Sequence, residues 1–425
     1  MEEYQEIISH IFSRGRFGIK PGLERISAIL RNLGNPEKNI NVINIVGTNG
    51  KGSTGAFLSS IMTNSGSKTG FFSSPHLSSF TERFRIDNQE PSEGKIGKIA
   101  EKVLKKAPPE ATFFEIVTAM GFLYFAREKV DIAIMEAGMG GESDATNIAE
   151  GILSIITPIS IDHSKYLGTT TREIAIEKAG IIKKSKPVVI GPQKHDALLE
   201  IKRIAKENGS PCMVWGEDFY AELTPDGITY DAPDLVMKNL NPSLKGRFQV
   251  QNLASAITAA RILSDKGFIV TDKTIRSGIE NSFWPGRMEM FSGARQILLD
   301  SAHNPAGTAA LIESLPDYRY NHLILIFGAM ADKAWQESIL QLAPHVDRVI
   351  TVKPNIERAL NPEELADFCN MNNLKAIAAG SVKNGLELAE KTASEDDLIL
   401  VTGSIFVVGE ARSLITGKNF MPIRG

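Results

Sequence analysis

At 425 residues, with 42% apolar, 23% charged and 7% aromatic side chains, the chain has a globular composition and a length that predicts two domains rather than one core. Its 47 basic and 50 acidic residues leave a net charge of -3, which excludes the positive field that would hold a nucleic-acid backbone or an anionic membrane, so neither partner is expected. Cys212 and Cys369 form no CxxC pair, MEEYQEIISHIFSRGR lacks an apolar leader, and no run approaches roughly 18 apolar residues, so a cytoplasmic protein without a disulfide framework or zinc ribbon is expected.

Apolar β-rich runs then alternate with helical periodicity, which predicts a mostly parallel sheet covered on both faces. INVINIV leads into Gly47-Thr48-Asn49-Gly50-Lys51-Gly52-Ser53-Thr54, with a helix expected from about Ser53. Glycines let backbone N–H groups wrap a phosphate, the helix N-terminus adds partial positive charge, and Lys51 adds a full one. The spacing departs from GxxxxGK[ST], because Gly52 separates Lys51 from the hydroxyl residue. VDIAIME ends on Glu136, just before the glycine turn Ala137-Gly138-Met139-Gly140-Gly141, where open α/β sheets place their ligands. GILSIITPI precedes Asp162-His163, and Glu177-Lys178-Ala179-Gly180 follows on a predicted helix. A lone strand-end acid equally reads as a turn cap, a lone histidine as a hydrogen-bonded structural group, and Lys178 as a solvated helix lysine.

Between about Trp215 and Arg247 short alternating pieces such as AELTPDGITYDAPD read as hairpins at the sheet's edge, and VQNLASAITAARILSDKG reads as an amphipathic helix. After Pro285-Gly286-Arg287 a second βα series begins at about Ser292, running through QILLD, NHLILIFGAM, DRVITV, KAIAAG and DLILVTGS. Arg287 at this junction reads as a phosphate clamp or as a linker residue. Asp300-Ser301-Ala302-His303-Asn304-Pro305 reads either as a ribose- or carboxylate-orienting turn or as a helix N-cap.

In this order GTNGKGS, EAGMGGESDATNI, IDHSKYLGTTTREIAIEKAGI, PGRMEM, DSAHNP and VTGS resemble the folylpolyglutamate synthase/dihydrofolate synthase family of Mur-type ligases, from Gly22-Leu23-Glu24-Arg25 to Gly403-Ser404. The resemblance implies an α/β fold: a P-loop-type, mostly parallel-sheet ATPase domain over 1–290 that carries the folate site, then a smaller Rossmann-like glutamate ligase domain over 291–425. It implies that ATP is bound by Thr48, Asn49, Gly50, Lys51, Gly52, Ser53 and Asn252 with Arg287 and Asp300. Magnesium ligands map onto Ser74, Glu136, His163 and Lys178, the last being the position carbamylated in the family; two Mg2+ ions with ATP are implied, with K+ as an accompanying cation. Pterin-facing residues map onto Thr112, Phe113, Phe114, Ser143, Asp144 and Ala145, and glutamate recognition onto Arg83, His303 and Ser404. Lys51, His163, Lys178 and His303 form the expected catalytic set.

The implied reaction is ATP-dependent addition of L-glutamate to a reduced folate, and to dihydropteroate, through an acyl phosphate on a monomeric enzyme. Two features bear on the acceptor: Glu142 stands where the family usually has arginine, and Ile19-Lys20-Pro21 lies in a stretch that varies among members using dihydropteroate. A related Mur- or cyanophycin-type ligase is the nearest alternative, although a UDP-sugar ligase should carry a further domain before the phosphate loop. A nucleotide-binding module without ligase chemistry is the other, and it leaves DSAHNP and VTGS without a role.

Overall fold

The structure, a computed structural model, describes residues 2–14, 22–418 and 420–421; Ile19-Lys20-Pro21 lies outside the described residues. The first half contains β1 (Asn41–Val46), β2 (Thr69–Phe72), β3 (Phe84–Ile86), β4 (Ile132–Glu136), β5 (Leu153–Ile156), β6 (Val188–Ile190) and β7 (Cys212–Val214), in the order β3-β2-β4-β1-β5-β6-β7. Every pairing is parallel except β2 with β3. The central strands are continuous apolar runs because helices cover both faces. Lys51–Asn64 and Gln249–Ser264 close one side around Phe57, Ile61 and Leu253, and Phe113–Glu128 closes the other around Phe122 and Phe125. The first of these helices starts at Lys51 rather than near Ser53, because Gly50 takes the N-cap position.

β8 (Tyr220–Thr224), β9 (Gly227–Ala232) and β10 (Leu235–Leu240) are the expected hairpins, but they form a separate antiparallel sheet instead of extending the edge, which is β7. Their apolar face, with Ala221, Tyr230 and Met237, packs in one cluster with helix Gln249–Ser264, and Tyr230 Oη lies 3.0 Å from Thr258 Oγ1. Alternation of period two reveals that one face is buried, not which element buries it.

The second half has β11 (Glu289–Ser292), β12 (Gln296–Leu299), β13 (Leu323–Phe327), β14 (Arg348–Lys353), β15 (Ala376–Ser381) and β16 (Leu398–Thr402), ordered β11-β12-β16-β13-β14-β15. β11 is antiparallel to β12, with Glu289 opposite Leu299, so this sheet already begins within PGRMEM. The two halves meet where Gly409 passes Leu77 so closely that a Cβ on Gly409 would lie 2.1 Å from the Leu77 carbonyl oxygen. Among the described residues no helix is long and apolar enough to cross a membrane.

Candidate functional site

β1 delivers the chain into the glycine-rich loop, which is pinned to the segment after β5. The Thr48 N–H donates to the Pro158 carbonyl (2.9 Å), while Thr48 Oγ1 donates to the Ser160 carbonyl and accepts from the Ser160 N–H, both at 3.0 Å. Gly50 has φ 89°, and a Cβ there would lie 2.4 Å from Asn252 Oδ1, so both the backbone and its neighbour require glycine. No side chain caps helix Lys51–Asn64, which leaves its first N–H groups open to an anion. Lys51 Nζ folds back to donate to the Gly47 (3.1 Å) and Thr48 (3.2 Å) carbonyls. Burial lowers the Lys51 pKa, opposed by Glu136 and Asp162. Asn252 Nδ2 donates to Gln249 Oε1 (2.9 Å), and Gln249 Nε2 donates to Ser53 Oγ (3.3 Å).

Glu136, at the carboxyl end of β4, is buried and accepts the Ser74 N–H at 3.2 Å. Burial raises its carboxyl pKa, and Lys51 works against that rise. Arg83 holds the neighbouring loop by donating to Ser74 Oγ (3.0 Å) and His76 Nδ1 (2.8 Å). Lys178, on helix Thr171–Ala179, is 2% exposed and donates to the Met139 carbonyl at 2.8 Å. Burial first, and repulsion from Lys51 second, bring its pKa down to about 7. His163 has φ 51° and leads a single turn, Ser164–Leu167. Burial, then Lys333, lowers its pKa to about 4, so near pH 7 the ring is neutral and retains a lone pair.

From the second half, Asp300 at the end of β12 accepts the N–H groups of Met288 (3.0 Å) and Ala302 (2.9 Å), and burial raises its pKa. Arg287 has no hydrogen bond or ion pair among the described residues, although its charge is felt at Glu136, Asp300 and Lys51. His303 Nδ1 sits 3.0 Å from the Ser301 carbonyl, which assigns the proton to Nδ1, and burial followed by Lys333 lowers its pKa to about 4. Ser404 Oγ accepts the Phe406 N–H and caps helix Ile405–Thr416. Asp162 joins the halves: Lys333 Nζ lies at 2.6 Å, Asn304 Nδ2 at 3.4 Å and His303 Nε2 at 3.8 Å. Asn49 and Asn304 exchange amide hydrogen bonds at 3.3 and 3.1 Å.

One cavity of about 630 Å³ between the halves is lined by Thr48 to Ser53, Ser74, Glu136, His163, Lys178, Asn252, Arg287, Asp300, His303 and Ser404. Arg83, Thr112, Phe113, Phe114, Ser143, Asp144 and Ala145 do not line it. Thr112 caps helix Phe113–Glu128 in a reciprocal box with Glu115, and Phe113 stacks on Phe12 at 5.3 Å. Phe114 lies under Gly138, where a Cβ would come within 2.7 Å of the ring. Asp144 accepts the N–H groups of Gly138 and Met139, the Ser143 N–H donates to Glu177, and Ala145 is packed in the core. Phe114 and Asp144 therefore shape the turn whose Gly138 and Met139 face the cavity. Glu142 is exposed, its backbone N–H bonded to the Glu177 carbonyl. Two cavity groups, Asp162 and Lys333, and the neighbouring Asn304 fell outside the residues singled out for a site. Asp162 and Asn304 sit inside motifs noted at strand ends, whereas Lys333 in GAMADKAW carries no local signal.

Among the described residues no three His, Cys, Asp or Glu side chains gather around a common point. The donors that do line the cavity are a buried carboxylate, a hydroxyl, a neutral imidazole and an amine of pKa about 7. Carboxylate and hydroxyl oxygens suit a hard divalent cation.

Residues 45–260 match the Mur ligase middle domain, and 286–405 match the Mur ligase, glutamate ligase domain. The chain is 32% identical to a dihydrofolate synthase/folylpolyglutamate synthase of Bacillus subtilis, covering 96% of this chain and 98% of that protein. It is 33% identical to a probable bifunctional folylpolyglutamate synthase/dihydropteroate synthase of Haloferax volcanii, covering 97% of this chain but spanning about half, 51%, of that longer protein. Its fold is similar to Escherichia coli FolC in complex with DHPP and ADP (TM-score 0.89, 28% identity, 97% and 98% of the two chains). It is also similar to a Yersinia pestis bifunctional folylpolyglutamate synthase/dihydrofolate synthase complexed with AMPPNP and Mn ion (TM-score 0.85, 28% identity, 94% of each).

Proposed function

The chain belongs to the folylpolyglutamate synthase/dihydrofolate synthase family of Mur ligases, and on that premise we propose that it is an ATP-dependent ligase joining L-glutamate to reduced folates and to dihydropteroate. The observation that carries this reading is the single cavity in which the glycine-rich loop and Lys51 of one half face Arg287 and Asp300 of the other. A carboxylate at pH 7 is a poor electrophile, so amide formation needs activation. The substrate carboxylate attacks the γ-phosphorus of ATP, the bond to the β–γ bridging oxygen breaks, ADP leaves, and an acyl phosphate remains. The glutamate amine then attacks the acyl carbon, loses a proton, and phosphate departs.

The roles of individual residues are proposals within this scheme. Open N–H groups at the start of helix Lys51–Asn64 and the Lys51 ammonium balance charge on the transferring phosphoryl group. Asn252, Arg287 and Asp300 position the nucleotide, with Arg287 free to form a two-pronged contact to phosphate. His303 and Ser404 stand on the second-half wall, where glutamate would enter. Closure around the cavity keeps water from the acyl phosphate. Ser74, Glu136, His163 and Lys178 would hold divalent metal, Mg2+ being the hard cation this set suits; when bound, it supplies Lewis acidity to the phosphoryl oxygens. K+ belongs to the same reading as an accompanying ion without an assigned ligand set. The buried, readily deprotonated Lys178 amine supports a carbamate there: nitrogen attacks CO2, a proton leaves, and a cation becomes an anionic oxygen donor. A cytoplasmic monomer completes the proposal.

The test is ATP-dependent incorporation of labelled glutamate, run separately with tetrahydrofolate and dihydropteroate. Turnover is expected with both. A well-folded, ATP-binding protein that incorporates glutamate into neither would overturn the reading.

A further inference from the structure

Against Ser78, Ser79 and Glu82 of the Ser74–Arg83 loop lies a second cavity of about 240 Å³, walled also by Arg85 from β3, by Phe283 and Pro285 from the junction, and by Arg412 and Lys418 from the C-terminal helix and its exit. Arg85 is 7% exposed, and its guanidinium finds no hydrogen-bond acceptor or ion-pair partner among the described residues, while the Trp284 ring lies 4.8 Å from its Cζ. A buried guanidinium without a hydrogen-bond acceptor is costly, and the lost water is offset only by the field of Glu82 and Glu90, which Arg412 opposes. The two acids on the wall do not supply an acceptor. Glu82 is occupied by the N–H groups of Leu77, Ser78 and Ser79 at 2.7, 3.1 and 3.0 Å, and Glu90 accepts from Thr81 Oγ1 at 2.8 Å. Arg412 uses only its Nε, donating to both oxygens of Glu289 at 3.0 and 2.8 Å, and its terminal Nη groups donate to no acceptor among the described residues. Lys418 is exposed at the mouth and has no partner there.

We propose that this cavity is an anion site, separate from the nucleotide cavity, in which Arg85, Arg412 and Lys418 bind a small oxyanion of the phosphate or dicarboxylate class. Arg85 provides the desolvated charge, Arg412 two free Nη groups, and Lys418 an exposed cation. The bound anion ties β3 of the first half to the last helix of the second.

The probe is inorganic phosphate, titrated into the full-length protein with saturating AMPPCP filling the nucleotide cavity through its γ-phosphate position, with succinate, which lacks the amine of glutamate, as a second arm to separate phosphate from dicarboxylate. One equivalent of either ligand should bind the wild type; Arg85→Met should weaken it by at least roughly tenfold and Lys418→Gln about threefold. ADP affinity in the variants reports separately on the nucleotide cavity, so failure of that site is distinguishable from failure of this one. If Arg85→Met does not keep the wild-type melting curve, Lys418→Gln, a surface change, decides alone. Absence of binding by both ligands, or unweakened binding in the deciding variant, overturns the proposal.

Discussion

Asp162 and Lys333, one from each half of the molecule, form an ion pair at 2.6 Å with side chains only 11% and 13% exposed. Burial alone would raise the Asp162 carboxyl, but Lys333, His163 and His303 together hold it well below the usual carboxylate range. Removing one partner leaves the other charge buried and unmatched, so Lys333→Met is expected to cost about 3 kcal/mol, whereas Asp162→Asn with Lys333→Met costs less than the two singly. A double-mutant cycle by chemical denaturation measures this, and additive single effects would show that the pair is not coupled.

Lys51→Ala should keep the fold and lose activity by roughly a hundredfold or more, because its charge acts on the transferring phosphoryl group and not on the core. The measurement is steady-state turnover beside a melting curve. Near-normal turnover would return the glycine-rich loop to a plain strand-to-helix turn.

Arg287→Ala should raise the KM for ATP by about tenfold with little change in stability, since Arg287 has no partner among the described residues to lose. An unchanged ATP dependence would make it a linker residue.

For Lys178, high-resolution density at the lysine tip in the nucleotide complex should show a carbamate. Lys178→Ala should be nearly inactive and partly restored by acetate or formate. A bare ammonium in a fully active magnesium–ATP complex would refute the carbamate.

His303 sets a pH dependence of stability. Its folded pKa of about 4 lies below the ordinary value of 6.5, so between those limits the unfolded chain binds more protons. Its contribution is therefore complete above about pH 6.5 and declines as pH falls towards 4. Asp162, held below its ordinary range, adds acid sensitivity only below about pH 4. Melting temperatures at pH 7 and pH 5 should differ by a few °C, and His303→Gln should reduce that difference. An identical difference in the variant would rule out His303 as its source.

The strand series of both halves was legible because each run is apolar along its length and ends in a recognisable turn. The positions of the glycine-rich loop, Glu136 and the Asp162-His163 turn were legible for the same reason, each following a buried strand at its carboxyl end. What failed was whatever depended on distant partners. The strands β8 to β10 alternate correctly, but only packing on Thr258 and its helix reveals a separate sheet. Lys333 reads as an ordinary loop lysine until the fold brings Asp162 within 2.6 Å. Asp144 is assigned a pterin-facing place only by the resemblance, and its hydrogen bonds to the N–H groups of Gly138, Met139 and Thr146 are invisible in the sequence.

The passage of Gly409 against Leu77 has a mechanical meaning. With no room for even one further carbon between them, the joint has a clearance smaller than a methyl group. The halves can part at this point but cannot be pressed closer, so the joint is a hard stop. Any side chain larger than hydrogen at position 409 would have to push the Leu77 backbone, and with it the Ser74–Arg83 loop, away from the last helix.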